Sequence, residues 1–217
     1  ERIDWIISLF SSIRPPKIER DILNILRLGA YQILFLDRIP VSAAVNESVK
    51  LAKVIGQRQG GFVNAVLRAI VRGKDDITYP DLTSDPTRHI AIKYSHPEWL
   101  VKRFINEIGV DEAIRLCLAN NEAPPLTIRV NATAISREEL HLRLSEAGYD
   151  VTVAAFSTSG LILTASGNVM SIPGFMEGLF TIQDEAAQLI SFILDPQPGE
   201  KILDACAAPG GKVGHIA

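Results

Sequence analysis

The residues best suited to chemistry stand together in one string, Asp204-Ala205-Cys206-Ala207-Ala208-Pro209-Gly210-Gly211-Lys212. The apolar run "KILDA" leads into it and a helix start follows, the order in which doubly wound α/β domains present a ligand loop at a helix N-terminus. Gly210 and Gly211 lack a Cβ, so backbone amides there can approach a ligand closely, while Pro209 stiffens the turn. Asp204, at the strand end, can accept a hydrogen bond from the loop or from a ligand amine. Two familiar loops are excluded by their letters. A Walker loop needs G-x-x-x-x-G-K-[ST], but Cys206 holds the first glycine position and Val213 the last. A dinucleotide fingerprint needs G-x-G-x-x-G, and Ala205 and Ala207 stand where glycine would be expected.

The remaining candidates are weaker. Cys117 and Cys206 lie far apart in sequence and support neither a disulfide framework nor a metal cluster, so free thiols and no metal are expected. At the base of a glycine loop, Cys206 reads as packing rather than as a nucleophile. His89, His96 and His141 have no carboxylate or second histidine at ligand spacing and read as surface or packing residues. Phe156, Phe175 and Phe180 read as core. With 47% hydrophobic and 22% charged residues the chain is globular, with room for one large domain or two small ones. No apolar run approaches the roughly 20 residues of a bilayer span. The segment "ERIDWIISLF" lacks the flank and cleavage site of a signal peptide, so a cytoplasmic setting without a membrane partner is expected. Charge is uneven: residues 1–74 hold 12 Lys and Arg against 6 Asp and Glu, which leaves −9 on the rest of a chain whose net charge is −3. A basic block suits a polyanion such as RNA, and a solvated helical face is the plainer alternative.

Periodicity supplies the elements that would position the loop. From Asp4 to Arg72 apolar residues fall at helical spacing: Ile18, Ile22, Ile25, Leu26, Gly29 and Ile33, then Val45, Val49, Ala52 and Ile55, then Phe62, Val66, Leu67 and Ile70. This predicts an all-helical domain. Pro40 with Ser42 marks one helix start, and the Gly60-Gly61 pair is expected to separate the last two helices. Arg68 and Arg72 lie one turn apart, off the apolar stripe, and join Lys50 and Lys53 as candidates for phosphate contact. The stretch "GKDDITYPDLTSDP" reads as a linker. Pro97 is placed as the first residue of a helix that Gly109 stops, and a short helix is expected from about Glu112 to Leu118. After "NNEAPP" the period becomes two. "LTIRVN" is a strand, "SREELHLRLSEAGY" a helix with a capping box from Ser136 to Glu139 and a Gly148 stop, and "VTVAAF" and "LILTA" paired strands. A small α+β module results, of a kind that often presents RNA-binding surfaces. Beyond Gln183, "DEAAQLISFIL" puts Ala186, Leu189, Ile190 and Ile193 on one stripe ahead of the strand "KILDA", the opening of an α/β Rossmann-like domain.

The loop string closely resembles motif I of the RNA (cytosine-5) methyltransferases, whose usual form is D-x-C-A-A-P-G-G-K-T. "LRLGAYQILFLDRIPVSAAVNESVKLAK", "YSHPEWLVKRF", "NNEAPPLTIRVN" and "IPGFMEGLFTIQDEAAQLI" also resemble segments of the bacterial 16S ribosomal RNA methyltransferases of the Sun/Fmu type. That resemblance implies a NusB-like all-α RNA-binding domain over 1–83, lacking its first helix or helices. It further implies a helical linker and RNA-recognition-like α+β module over 84–182, and the start of a class I methyltransferase domain over 183–217. It implies S-adenosylmethionine as cofactor, held by Cys206, Ala207, Ala208, Pro209, Gly210, Gly211 and Lys212, and 16S ribosomal RNA as partner. Val213 departs from the usual threonine, which touches one hydroxyl contact.

The family's reaction is thiolate attack at cytosine C6, methyl transfer to C5 and base-assisted elimination. Its nucleophile sits in a later Thr-Cys motif that these 217 residues do not contain, so no catalytic residue is expected here and the chain alone is expected to be inactive. A ribose 2′-O-methyltransferase also carries A-A-P-G-G, but usually with an aromatic residue after the glycines and without a long helical N-terminal domain. A non-catalytic RNA-binding or antitermination factor would explain the helical domain and leave the loop without a role.

Overall fold

Helical spacing of apolar residues in the first third of the chain yields four helices: α1 (Arg2–Phe10), α2 (Arg20–Phe35), α3 (Val41–Ile55) and α4 (Gln57–Gly73). They are seen in a computed structural model that describes residues 1–164 and 168–217 and divides the chain into two units, Glu1–Glu122 and Ala123–Ala217. Ile7, Leu26, Leu67 and Ile70 are fully buried between the four helices. Asp4 accepts two hydrogen bonds from the Arg27 guanidinium, both 2.7 Å. The hydrogen bonds to Arg27 hold the Asp4 carboxyl below the usual carboxylate range.

The helix break expected at Gly60-Gly61 falls instead at Gly56, and both glycines lie inside α4. Packing explains why. A Cβ on Gly60 would stand 2.5 Å from Lys53 Cγ, so its absence lets α3 and α4 approach closely, as Gly29 does for α2 against Leu67 and Ser48. The expected linker is tied back to α1, where Trp5 Nε1 donates to the Thr78 carbonyl (2.9 Å) and Arg2 Nε to the Tyr79 hydroxyl (3.0 Å). Three further helices, α5 (Pro86–Lys93), α6 (Glu98–Ile108) and α7 (Val110–Ala119), close a second small core around Ile90, Val101, Ala113 and Cys117. Pro97 caps α6 rather than opening it, and Gly109 at φ +83° stops it.

In the second unit the period-two segment becomes β1 (Leu126–Val130), followed by α8 (Arg137–Glu146), β2 (Asp150–Val153) and β3 (Gly160–Thr164). Ala165, the last residue of one expected strand, lies outside the described residues. Ser136 and Glu139 form the capping box, and Gly148 at φ +87° follows the helix end. A fourth strand, β4 (Phe180–Ile182), is not signalled by the sequence, because three residues carry too little alternation to read. The sheet order is β2-β3-β1-β4, all neighbours antiparallel. Ile128, Val130, Leu161, Leu163 and Phe180 meet Leu140 and Leu144 of α8 in its core. Phe175 packs against this core as expected, whereas Phe156 is 77% exposed and is not core.

Two further expectations fail beyond the sheet. Helix α9 (Glu185–Leu194) leaves its apolar stripe outward, with Ile193 78% exposed, and buries Gln188 and Ser191. Hydrogen bonds explain the reversal: Gln188 Nε2 donates to the carbonyls of Gln183 (2.9 Å) and Ile128 (3.3 Å), and its Oε1 accepts from the Ser157 hydroxyl (2.7 Å). "KILDA" forms no strand: no strand among the described residues lies beside it to pair with, and Leu203 is 90% exposed, as follows for a single apolar segment that cannot bury its own faces.

The two helical glycines make opposite tests. At Gly29 a Cβ would meet Leu67 Cδ1 and Ser48 Oγ at 2.7 Å each, whereas at Gly61 it would meet nothing within 4 Å. Gly29→Ala should lower unfolding free energy by about 1–3 kcal/mol through overpacking. Gly61→Ala should raise it by about 0.5–1 kcal/mol through helix propensity. Urea titration of both variants checks this, and an equal response would show that packing does not distinguish the two sites.

Candidate functional site

The loop of residues 204–212 leaves the "KILDA" segment through a turn in which Asp204 Oδ1 accepts from the Cys206 amide at 2.9 Å. Gly210 follows at φ +106°, a conformation L side chains rarely adopt, and the short helix α10 (Val213–Ile216) begins after Lys212. Cys206, Ala207, Ala208, Pro209 and Lys212 are exposed, and Gly210 and Gly211 are partly covered. Cys117, by contrast, is buried in the helical unit, where burial pushes its thiol pKa up and keeps it protonated.

Residues outside the loop fix its position. The Gly211 carbonyl accepts from Arg129 Nη1 (3.1 Å) and from Gln183 Nε2 (3.3 Å), so β1 and the residue after β4 both hold one oxygen. Gln183 is buried and its Oε1 has no partner among the described residues. His215 on α10 pairs its Nδ1 with the Ser191 hydroxyl of α9 (2.6 Å) and meets the Phe192 ring edge-on. Its pKa lies below the ordinary histidine value, first through burial and then through the positive charge of Arg129. The Ser191 hydroxyl also donates to the Gln188 carbonyl (3.0 Å).

Two hollows flank the loop. One of about 720 Å³ is lined by Glu200, Ile202, Asp204, Ala207, Val213 and Ile216, mostly apolar with two acidic side chains. The other, about 580 Å³, opens on the sheet side, with Arg129, Asn131, Ser159, Thr181 and Gly210 on its walls. Sequence reasoning missed Arg129 and Gln183. The signal for Arg129 was the alternation in "LTIRVN": Ile128 and Val130 enter the core, so Arg129 must lie on the opposite face.

The four basic candidates fall into two sets. Arg68 and Arg72 of α4 come together on one cleft with Ser42 and Asn46 of α3, and Arg68 Nε donates to Asn64 Oδ1 (2.9 Å). Lys50 lies outside that cleft in an exposed pair with Glu47 (2.7 Å), and the stem of Lys53 runs over Gly60. His89 and His96 are held by backbone carbonyls, of Pro80 and Tyr94 respectively, which agrees with packing roles.

An all-α NusB-like unit, a small antiparallel sheet module and the start of a methyltransferase domain together define the class of this protein. Residues 1–72 match the NusB family, residues 96–170 the ferredoxin-like domain of RsmF/B-like methyltransferases, and residues 191–217 the family described as 16S rRNA methyltransferase RsmB/F. The last two of these stretches are thus similar to parts of RsmB/F-type methyltransferases, and the first to the NusB family. It is 37% identical over 216 residues to a Bacillus subtilis protein named "Probable ribosomal RNA small subunit methyltransferase B", covering 99% of this chain and 47% of that protein. It is 40% identical over 205 residues to the Vibrio cholerae ribosomal RNA small subunit methyltransferase B, covering 94% and 46%. Among solved structures, that of PH0851 aligns at a TM-score of 0.74 with 26% identity, covering 99% of this chain and 48% of that one. A methyltransferase homologue from Pyrococcus horikoshii aligns at 0.54 with 30% identity over 61% of this chain and 43% of its own. The chain thus spans about half the length of the curated relatives it matches.

The His215 pairing sets a pH expectation. A depressed histidine pKa contributes stability above its unfolded value, near 6.5, that is lost as pH falls through the folded value. NMR titration of the His215 ring should give a midpoint below about 6.5, and Arg129→Gln should raise it. A midpoint at or above the ordinary value would show that burial and the neighbouring guanidinium do not act on this ring.

Proposed function

We propose that this protein serves S-adenosylmethionine-dependent methylation of cytosine C5 in 16S ribosomal RNA, acting in the cytoplasm. The observation that carries the reading is the loop of residues 204–212, whose glycine at φ +106° and doubly held Gly211 carbonyl fix a Gly-rich turn beside an apolar hollow. The residues fit the cofactor. The hollow has the size of a nucleoside site and is lined by Asp204 and Ala207, while Pro209, Gly210 and Gly211 line the cleft on the loop's other side, and Gly210 takes a conformation that a side chain would strain. Cys206, Ala207, Ala208, Pro209, Gly210, Gly211 and Lys212 would hold the methionine and ribose end, largely through backbone groups. Bound there, S-adenosylmethionine supplies an electrophilic methyl on a sulfonium centre. Asp204 orients the Cys206 amide and Gly210 reverses the chain, while Arg129 and Gln183 keep the Gly211 carbonyl turned to the sheet.

The names of the relatives and the family description support RNA as substrate, and the basic balance of residues 1–74 agrees with it. We read residues 1–83 as the RNA-binding helical domain, 84–182 as the linker with its sheet module and 183–217 as the opening of the methyltransferase domain. Within the first, Arg68 and Arg72 share a cleft and would meet phosphates, with Lys50 and Lys53 as further contacts. No group of three potential metal ligands occurs among the described residues, and the proposal invokes no metal. No described helix is long and apolar enough to cross a membrane.

Three measurements test this. The 217-residue chain, incubated with radiolabelled S-adenosylmethionine and undermethylated small-subunit RNA, should transfer no label, because it holds no Thr-Cys nucleophile. It should still bind cofactor in equilibrium dialysis, and Gly210→Ala should weaken that binding by about tenfold, the weight of 1–2 kcal/mol of backbone strain. Label in cytosine would overturn the assignment of a nucleophile elsewhere, and unchanged binding by Gly210→Ala would remove the loop from the site. In filter binding, replacing both Arg68 and Arg72 with alanine should flatten the log–log salt dependence of ribosomal RNA affinity. An unchanged slope would return them to a solvated face.

A further inference from the structure

The cleft on the sheet side of the loop holds a guanidinium and, among the described residues, no acidic side chain. Arg129 and Thr181 are cross-strand partners on β1 and β4, and both face away from the core that receives Ile128, Val130 and Phe180. Arg129 is half-buried and belongs to none of the ion pairs among the described residues. One of its five N–H groups is committed to the Gly211 carbonyl at 3.1 Å, and the guanidinium lines the cleft with Asn131, Ser159, Thr181 and Gly210. No Asp or Glu side chain among the described residues lines that cleft. His215, which also lines it, is held near neutral and adds a polar wall without a competing negative charge.

A partly desolvated guanidinium gains more from an anion than one in bulk water, and its planar fork matches the oxygens of a phosphate. We propose that Arg129 binds a backbone phosphate of the RNA in this cleft, so that RNA and the Gly211 carbonyl share a single guanidinium. The proposal rests on the reading of RNA as substrate and adds the point at which the strand meets the cofactor loop. Hydroxyls of Ser159 and Thr181 stand on the cleft walls as further donors to phosphate oxygens. The hollow on the other side of the loop, with Ile202, Ala207, Val213 and Ile216, is mostly apolar and carries the Glu200 and Asp204 carboxylates, so an RNA phosphate is disfavoured there.

The test measures affinity of the 217-residue chain for undermethylated small-subunit ribosomal RNA across a salt series, for the wild type, Arg129→Ala and Arg129→Lys. Arg129→Ala should bind roughly tenfold more weakly at low salt, as expected for one charge-assisted contact, with a log–log salt slope flatter by about 1. Arg129→Lys should restore the slope but only part of the affinity, because a lysine cannot span the Gly211 carbonyl and a phosphate together. Circular dichroism and a thermal melt confirm that each variant is folded, and the lysine variant keeps the test valid if the alanine variant is not. A wild-type slope in Arg129→Ala, with RNA still bound, overturns this proposal and leaves the RNA reading standing. Failure of the wild type to bind RNA in a salt-dependent way sinks both. Cofactor affinity, read by dialysis, separates the other source of an anion: a fall there with an unchanged RNA slope would assign Arg129 to the cofactor carboxylate and overturn the proposal.

Discussion

The carbonyl of Gly211 is the point on which the second unit's site depends. A glycine loop alone has many conformations, and glycine loses more freedom on ordering than any other residue. Two donors from the sheet, Arg129 and Gln183, select one of them by converging on a single oxygen. The loop therefore takes its shape from a neighbouring module rather than from its own sequence. Gln183 in turn is held in place through its own carbonyl, which accepts from the fully buried Gln188, and Gln188 reaches back to the Ile128 carbonyl of β1. Sheet, helix α9 and loop form one hydrogen-bonded sequence of contacts.

That chain of contacts accounts for the orientation of α9. An amphipathic helix ordinarily buries its apolar stripe, but here Gln188 and Ser191 face inward because each finds a partner there, and an unmet buried amide would cost more than an exposed isoleucine. Ile190 and Ile193 stay exposed as a result. Apolar exposure on one helix is thus the other side of polar satisfaction beneath it.

Much of the architecture was legible in the sequence. Residues Ile22 to Ile70 gave the helices, "LTIRVN" and the Ser136 capping box gave the module, and the letters 204–212 gave the family. The misses have separate physical causes. Gly60 and Gly61 suggest a break because glycine weakens helices, whereas packing of Gly60 against Lys53 uses the missing Cβ inside one. "KILDA" has the composition of a strand, yet strand character needs a partner that no local pattern guarantees. Arg129 and Gln183 lie 82 and 28 residues from the oxygen they hold, and such long-range convergence leaves no mark on spacing.

Strand β1 carries two obligations one residue apart, since Ile128 and Val130 build the core while Thr127 and Arg129 face the other side. A slip of one position in its pairing with β3 or β4 would send the guanidinium into hydrocarbon and the isoleucine into the cleft. Misfolding and loss of the site would then be a single event. Selection acting on solubility alone would protect the placement of Arg129, whose position on the cleft is secured by its hydrophobic neighbours.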